Sequence, residues 1–273
     1  MASYDLIVIG GGPGGKVACI ENDRAGGTCL NWGCIPTKAL LKNAELYHTL
    51  THRADEFGLQ IKGISYDWDK VIGRSRKVSE KLAGGIEFLF KKNKIDYIRG
   101  TGGLAANGKV EVIDKDGKSE LHSAANVLVA TGCVSRGLPF LPFDGEKVIG
   151  SKDAMTLKKQ PKSMVIIGAG AIGIEFAYFY SSYGTEVTVI EMLDRILPVE
   201  DSEVSATLQK SLTKHGIKFF TSTKTAAAET TKTGVKLILE PAAGGDQVTV
   251  EAQVCLVAIG VAPVLPKNAE QLK

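Results

Sequence analysis

Residues 162–173 read KSMVIIGAGAIG. An apolar run, Met164–Ile167, leads into three glycines, Gly168, Gly170 and Gly173, in the pattern Gly-x-Gly-x-x-Gly. Alone this pattern is weak, and its context decides. Ala171–Tyr183 has helical character, with Ile174, Phe176, Ala177 and Tyr180 at three- and four-residue spacing, and Gly184 stops it. A second strand, TEVTVIE, then ends at Glu191, 18 residues beyond Gly173. Strand, glycine turn, helix, strand and acid together predict a dinucleotide-binding βαβ unit. The first glycine permits a tight turn, the second lets backbone reach a pyrophosphate, and the third lets helix and strand pack closely. The helix N-terminus offers free N–H groups and a positive dipole. Glu191 can accept both ribose hydroxyls and repels a 2′-phosphate, which favours NAD over NADP. A glycine turn that holds no ligand is the alternative.

A similar stretch, YDLIVIGGGPGG, begins at Tyr4, with Gly10, Gly12 and Gly15 in the same spacing. The fold class expected is α/β, with two Rossmann-like dinucleotide-binding domains. Their expected bounds are 1–145 and 146–262, with a tail at 263–273, and Arg136–Lys162 reads as the linker. In the second half a helix is expected over Ser202–His215, stopped by Gly216. Strands are expected near Ile217–Thr221, Val235–Glu240, Val248–Glu251 and Val254–Ile259.

The first half carries GGTCLNWGCIPTK, Gly26 to Lys38. Cys29 and Cys34 stand five apart, a rise of about 7.5 Å on a continuous helix. A disulfide needs Cα atoms ~4.4–6.8 Å apart, so a bridge requires a bend, and Asn31 and Gly33 can supply one. Pro36 suits the first turn of a helix running to about Leu50, and Cys34 near its N-terminus is placed where a thiolate is stabilised. The spacing fits an accessible, reducible disulfide. Two alternatives stand beside it. A zinc site needs two further ligands, which His48, His52 and His122 do not supply at usual spacing. Two unrelated buried cysteines is the other.

These motifs together resemble the pyridine-nucleotide disulfide oxidoreductases, and among them the dihydrolipoyl dehydrogenases, from Tyr4 to about Pro263. The resemblance implies a flavoprotein that uses FAD and NAD and passes electrons from a dihydrolipoyl group through a Cys29–Cys34 disulfide. By it, Cys29 exchanges with the dithiol and Cys34 faces the flavin, while Lys38 lies near flavin N5, paired with Glu175. Glu21 holds the FAD ribose, and Gly10, Gly12, Gly15, Gly27 and Thr28 line the pyrophosphate region. Gly102, Thr131, Gly132 and Cys133 lie near FAD. Gly168, Ala169, Gly170, Ala171, Ile172, Gly173, Glu175, Glu191, Thr225 and Gly260 line NAD. The implied partner is a lipoyl-bearing protein of a 2-oxo acid dehydrogenase complex, and the implied assembly a homodimer. The thioredoxin-reductase branch, with closer cysteines in the NAD domain, fits less well. So do glutathione reductases, which prefer NADP.

Two departures are expected. Family members place a helix after the first glycine turn, whereas here Gly11–Gly15 alone separate the strand Leu6–Gly10 from Lys16–Glu21. A parallel crossover needs about a dozen residues, so the two strands are expected to form an antiparallel hairpin or to separate, with Glu21 displaced. The chain also stops before the second part of the FAD domain and the dimerisation domain. A catalytically impaired fragment, or an NAD-binding remnant, is therefore the alternative function.

The remaining composition is that of a soluble globular protein, 44% hydrophobic and 23% charged, with a net charge of +3. Lys91, Lys92 and Lys94 read as a solvated helix end, and no basic stripe suggests nucleic acid. No apolar run approaches the ~18 residues that span a bilayer. The first strand begins too soon to leave room for a targeting peptide, so the expected location is cytoplasmic. Cys19 and Cys255 sit in apolar runs and read as core.

Overall fold

The computed structural model describes residues 2–10 and 17–269. The earlier elements are β1 (Ser3–Ile9), β2 (Val17–Glu21), α1 (Gly27–Trp32), α2 (Cys34–His52), α3 (Trp68–Lys92), β3 (Asp96–Arg99), β4 (Thr101–Ala105), β5 (Lys109–Ile113) and β6 (Ser119–Val129). The later ones are β7 (Cys133–Ser135), β8 (Val148–Ile149), α4 (Ser151–Ala154), β9 (Ser163–Ile167), α5 (Ala171–Ser182), β10 (Glu186–Ile190) and α6 (Ser202–Lys214). Strands follow as β11 (Lys218–Phe220), β12 (Thr223–Thr230), β13 (Val235–Pro241), β14 (Val248–Ala252), β15 (Val254–Val257) and β16 (Val261–Pro263).

The chain forms two compact units. The first comprises Met1–Ile35, Arg76–Val134 and Ala262–Lys273, and the second Pro36–Ser75 and Ser135–Val261. This differs from a division near residue 145. Leu40 and Ala44 of α2 join the buried cluster of Met164, Ile166, Phe176 and Tyr180, so most of α2 packs with the second unit. The segment read as a linker supplies β8 and α4 to that unit. The segment read as a tail packs on the first: Leu104 N–H donates to the Lys267 carbonyl at 3.0 Å, and Val264 N–H to that of Gly132 at 2.9 Å.

In the second unit a parallel sheet runs β11-β10-β9-β15-β8. The two-residue period of β9 splits its side chains between faces. Met164 and Ile166 meet α5, whereas Val165 and Ile167 meet Leu237 and Leu239 of the antiparallel β12-β13-β14 layer. Each fully buried side chain of this size contributes about 1.5–3 kcal/mol. Asp201 caps α6 by accepting the N–H groups of Glu203 and Val204.

The first unit holds a six-stranded sheet in the order β3-β2-β1-β6-β5-β4. Its first two strands correct the expectation. β1 and β2 are parallel neighbours, with Leu6 opposite Val17 and Ile9 opposite Ile20. The dozen-residue rule describes connections that carry a helix. Reach alone is a weaker demand: seven steps from Gly10 to Val17 can span roughly 23 Å. The offset is about four residues along the strand and one strand sideways, roughly 14 Å. Residues 11–16 themselves lie outside those described.

Three of the four histidines meet in the second unit. The His48 ring lies 4.5 Å from that of His52 and 4.3 Å from that of His215, which Tyr178 flanks at 5.1 Å. Burial, with His48 and His52 adding, pushes His215 down to about 4. The unfolded chain therefore takes up the proton first as pH falls below about 6.5. Folding free energy should fall between pH 6.5 and 4, by about 1–2 kcal/mol once partial solvent exposure is allowed for. Urea unfolding across that range should show this slope, and His215→Asn should flatten it.

Candidate functional site

Helix α1 ends at Trp32, and Gly33 takes φ −147 and ψ −115 before α2 begins at Cys34. The break brings the Cα atoms of Cys29 and Cys34 to 4.7 Å, and the two form a disulfide. Both cysteines are exposed. Pro36 falls in the first turn of α2, where a missing N–H leaves no helical bond unmade. Their bond and their exposure set aside the reading as two unrelated buried cysteines. Cys19 and Cys255 are buried, and desolvation pushes their thiols up to about 11 and about 12, which keeps them unreactive at neutral pH. Cys133 is unpaired and half-buried.

One helical turn beyond Cys34 stands Lys38. Its Nζ donates to Glu175 Oε1 of α5 at 2.5 Å, an ion pair within the second unit. Glu175 does not line that unit's nucleotide-type cavity.

That cavity, about 710 Å³, opens at the carboxyl ends of β9 and β10. Its volume lies within the ~300–1,000 Å³ of small-molecule sites. Gly168, Gly170, Ala171, Ile172, Glu191 and Thr225 line it, with Gly260 beside them. Ala169 is buried instead, and its N–H donates to Glu191 Oε2 at 2.7 Å. Leu193 N–H donates to Glu191 Oε1 at 2.9 Å, so two backbone bonds orient the carboxylate. A Cβ on Gly170 would meet nothing within 4 Å. Gly173 serves packing, since a Cβ there would lie 2.0 Å from the Gly168 carbonyl oxygen. Phe140, Met192 and Leu193 also form the wall and were not expected. The position of Met192 and Leu193 just after the acid was the available signal.

The first unit repeats this construction. Gly10 N–H donates to the Ile20 carbonyl at 3.0 Å, as Gly168 does to that of Ile190 at 2.8 Å. Asp23 N–H donates to Glu21 Oε1 at 2.7 Å, as Leu193 does to Glu191. Gly10 and Gly168 have φ of 106 and 103 and approach the carbonyls of Ala130 and Ala258. Glu21 thus stands at the end of its strand as Glu191 does, which corrects the expected displacement. Gly10, Glu21, Gly102 and Thr131 line a cavity of about 140 Å³, walled on one side by Val264–Lys267. Thr131 Oγ1 donates to the Val264 carbonyl. Gly132 lies beside Thr28, whose Oγ1 would be 3.4 Å from a Cβ there. Gly27 opens α1 and is exposed. Cys133 begins β7 and does not line the cavity. Gly12 and Gly15 lie outside the described residues.

A chain with two strand–glycine–strand–acid units and an exposed, bridged cysteine pair has the make-up of a nucleotide-dependent disulfide oxidoreductase. Residues 4–273 match the family described as pyridine nucleotide-disulphide oxidoreductase, and the chain belongs to that family. It is 41% identical over 276 residues to a dihydrolipoyl dehydrogenase of Chlorobaculum parvum, covering 97% of this chain and 58% of the relative. It is also 41% identical over 272 residues to a leghemoglobin reductase of Vigna unguiculata, covering 95% and 52%. The solved structure of LpdA from Mycobacterium tuberculosis superposes with a TM-score of 0.84 at 26% identity, covering 96% of this chain and 59% of that one. The chain thus spans a little over half the length of these relatives. The first alignment is longer than the 273 residues of this chain, so that relative carries residues without a counterpart here. Among the described residues no helix is long and apolar enough to cross a membrane.

Proposed function

We propose that this chain belongs to a dihydrolipoyl dehydrogenase-type enzyme that passes two electrons from a dihydrolipoyl group through Cys29–Cys34 and FAD to NAD. The observation that carries this reading is the exposed disulfide at the Gly33 bend, in a chain with two nucleotide-type units. Cys29 exchanges with the dithiol, and Cys34, at the first residue of α2, is favoured as thiolate by the helix N-terminus. The second unit holds NAD: Gly168–Gly173 lies beside the pyrophosphate, and Glu191 accepts from the ribose, with Thr225 and Gly260 on the cavity wall. The open space at Gly170 fits a phosphate held close to backbone.

The first unit holds FAD, with Glu21 toward the ribose and Gly10, Gly27, Thr28, Gly102, Thr131, Gly132 and Cys133 around it. The placement of Glu21 fits that group. The cavity bounded by described residues, about 140 Å³, takes only part of it. Bound flavin supplies the two-electron carrier between dithiol and nicotinamide. By the family resemblance Lys38, oriented by Glu175, would supply a cation to bound flavin. The partner is a lipoyl-bearing protein of a 2-oxo acid dehydrogenase complex, the assembly a homodimer and the setting cytoplasmic. The three cysteines outside the bridge suit a reducing compartment.

The small first cavity favours a second reading, an NAD-binding piece with an impaired flavin unit. Flavin content of the purified chain separates the two. Yellow protein with one flavin per chain that reduces NAD with dihydrolipoamide supports the enzyme. Colourless protein that binds NAD supports the piece. In either case Glu191→Ala should weaken NAD binding about 10- to 100-fold, as expected for losing hydrogen bonds to a charged group. It should also narrow the preference for NAD over NADP. Calorimetric titration measures both, and NAD affinity within twofold of the parent chain would remove Glu191 as the ribose acceptor.

A further inference from the structure

Cys29 lies within the six-residue helix α1 and Cys34 opens α2, with only residues 30–33 between them, too little chain to hold a shape by itself. Arg76 of α3, with bonds inside the segment 23–32, holds it. The Arg76 guanidinium of α3 donates through Nη2 to the Asn31 carbonyl and lies 4.3 Å over the Trp32 ring. Trp32 Nε1 donates to Asp23 Oδ2 at 2.5 Å. Asn31, 2% exposed, donates its side-chain amide to the carbonyls of Arg24, Ala25 and Gly27 at 3.0–3.3 Å. Every member of this network grips the segment 23–32, and Asn31 and Trp32 lie between the cysteines. Arg76 Nη1 is buried without a partner among the described residues. So the guanidinium forgoes part of its hydrogen-bonding capacity to sit there.

We propose that Arg76 is a positioning residue for the redox disulfide: by clamping Asn31 and Trp32 it keeps Cys29 within reach of Cys34 when the bond is open, and so favours closure. The proposal rests on the redox role given to this pair above, but concerns an equilibrium that needs neither flavin nor NAD. When dithiothreitol reduces the pair, two electrons and two protons pass to the protein. The Sγ–Sγ bond breaks, two thiols form, and dithiothreitol closes to its cyclic disulfide. An unclamped α1 lets the two thiols separate, which lowers their effective concentration and shifts the equilibrium toward the dithiol. Both clamp contacts have sizeable energies, a charge-assisted hydrogen bond and a cation–π contact, and only the part lost on opening counts.

The test equilibrates the full chain in oxidised and reduced dithiothreitol, traps thiols by acid and alkylation, and quantifies Cys29 and Cys34 by peptide mass. Arg76→Ala should raise the reduction equilibrium constant about tenfold, a shift of about 30 mV. Arg76→Lys keeps the charge but loses the planar face, and should shift it about threefold. A merely structural role would lower the urea stability of oxidised and reduced forms equally and leave the equilibrium constant unmoved. An Arg76→Ala value within twofold of the parent chain would overturn the proposal. Should that variant not fold, an unshifted Arg76→Lys would overturn it instead. A chain that shows the shift but does not reduce NAD would sink the enzyme reading and leave this one standing.

Discussion

Replacing Cys34 with serine is expected to reduce dihydrolipoamide-dependent NAD reduction by at least ~1,000-fold, the range seen when an enzyme loses a group acting as nucleophile or its partner. The fold should survive. Cys34 is exposed and lies on a long, well-anchored helix, and opening so short a loop removes about 2 kcal/mol of chain-entropy stabilisation. NAD affinity should be unchanged, because the cavity around Glu191 includes neither cysteine. The two single variants should also differ in thiol chemistry. Cys29→Ser leaves Cys34 at the N-terminus of α2, where free N–H groups favour the thiolate. Cys34→Ser leaves Cys29 in the middle of the short α1. Iodoacetamide should therefore label Cys34 faster than Cys29 near pH 7, and the difference should close above pH 9, where both thiols ionise. Full NAD reduction by Cys34→Ser would place the electron path elsewhere. Equal labelling rates at pH 7 would remove the helix N-terminus as the source of asymmetry.

The second dinucleotide unit was legible because each of its signals is local. The run Met164–Ile167, the glycines, the periodicity of α5 and the acid at Glu191 all lie within thirty residues, and the observed elements fall within a residue or two of their expected bounds. The bend at Gly33 was legible for the same reason. Three features depended on distant partners and were not legible. The apolar face of α2, with Leu40 and Ala44, carries no mark of which sheet it will cover, and it covers the second unit's. Thr223–Thr230, rich in threonine, alanine and charge, has little strand pattern of its own and is a strand because it pairs with β13. The parallel pairing of β1 with β2 is set by both strands' apolar residues and by β6, which flanks β1 on its other side. A count of connecting residues was a poor guide to it. The contact of Arg76 with Asn31, 45 residues apart, had no signal in the sequence.

Gly170 and Gly173 should fail in opposite ways, and this separates ligand geometry from packing. Gly173 sits in the first turn of α5, and an added Cβ would stand 2.0 Å from the Gly168 carbonyl oxygen and 3.3 Å from Ile166 Cγ2. The obstacle is backbone on a buried strand end, which has no rotamer to change. Gly173→Ala must push the helix off β9, and overpacking of this kind costs about 1–3 kcal/mol. The displacement also moves the helix N-terminus away from the cavity, so NAD binding should fall together with urea stability. Gly170 has φ −70 and ψ 178, a conformation open to any residue, and its Cβ would meet nothing within 4 Å. Gly170→Ala should therefore fold with stability within about 0.5 kcal/mol of the parent, as a strain-free substitution does. Yet its methyl group would occupy the space where a phosphate approaches the backbone, and NAD affinity should fall at least tenfold. Unfolding curves and NAD titrations of both variants check this. Unaltered NAD affinity in a well-folded Gly170→Ala chain would show that no phosphate comes close there, and the cavity would need another ligand.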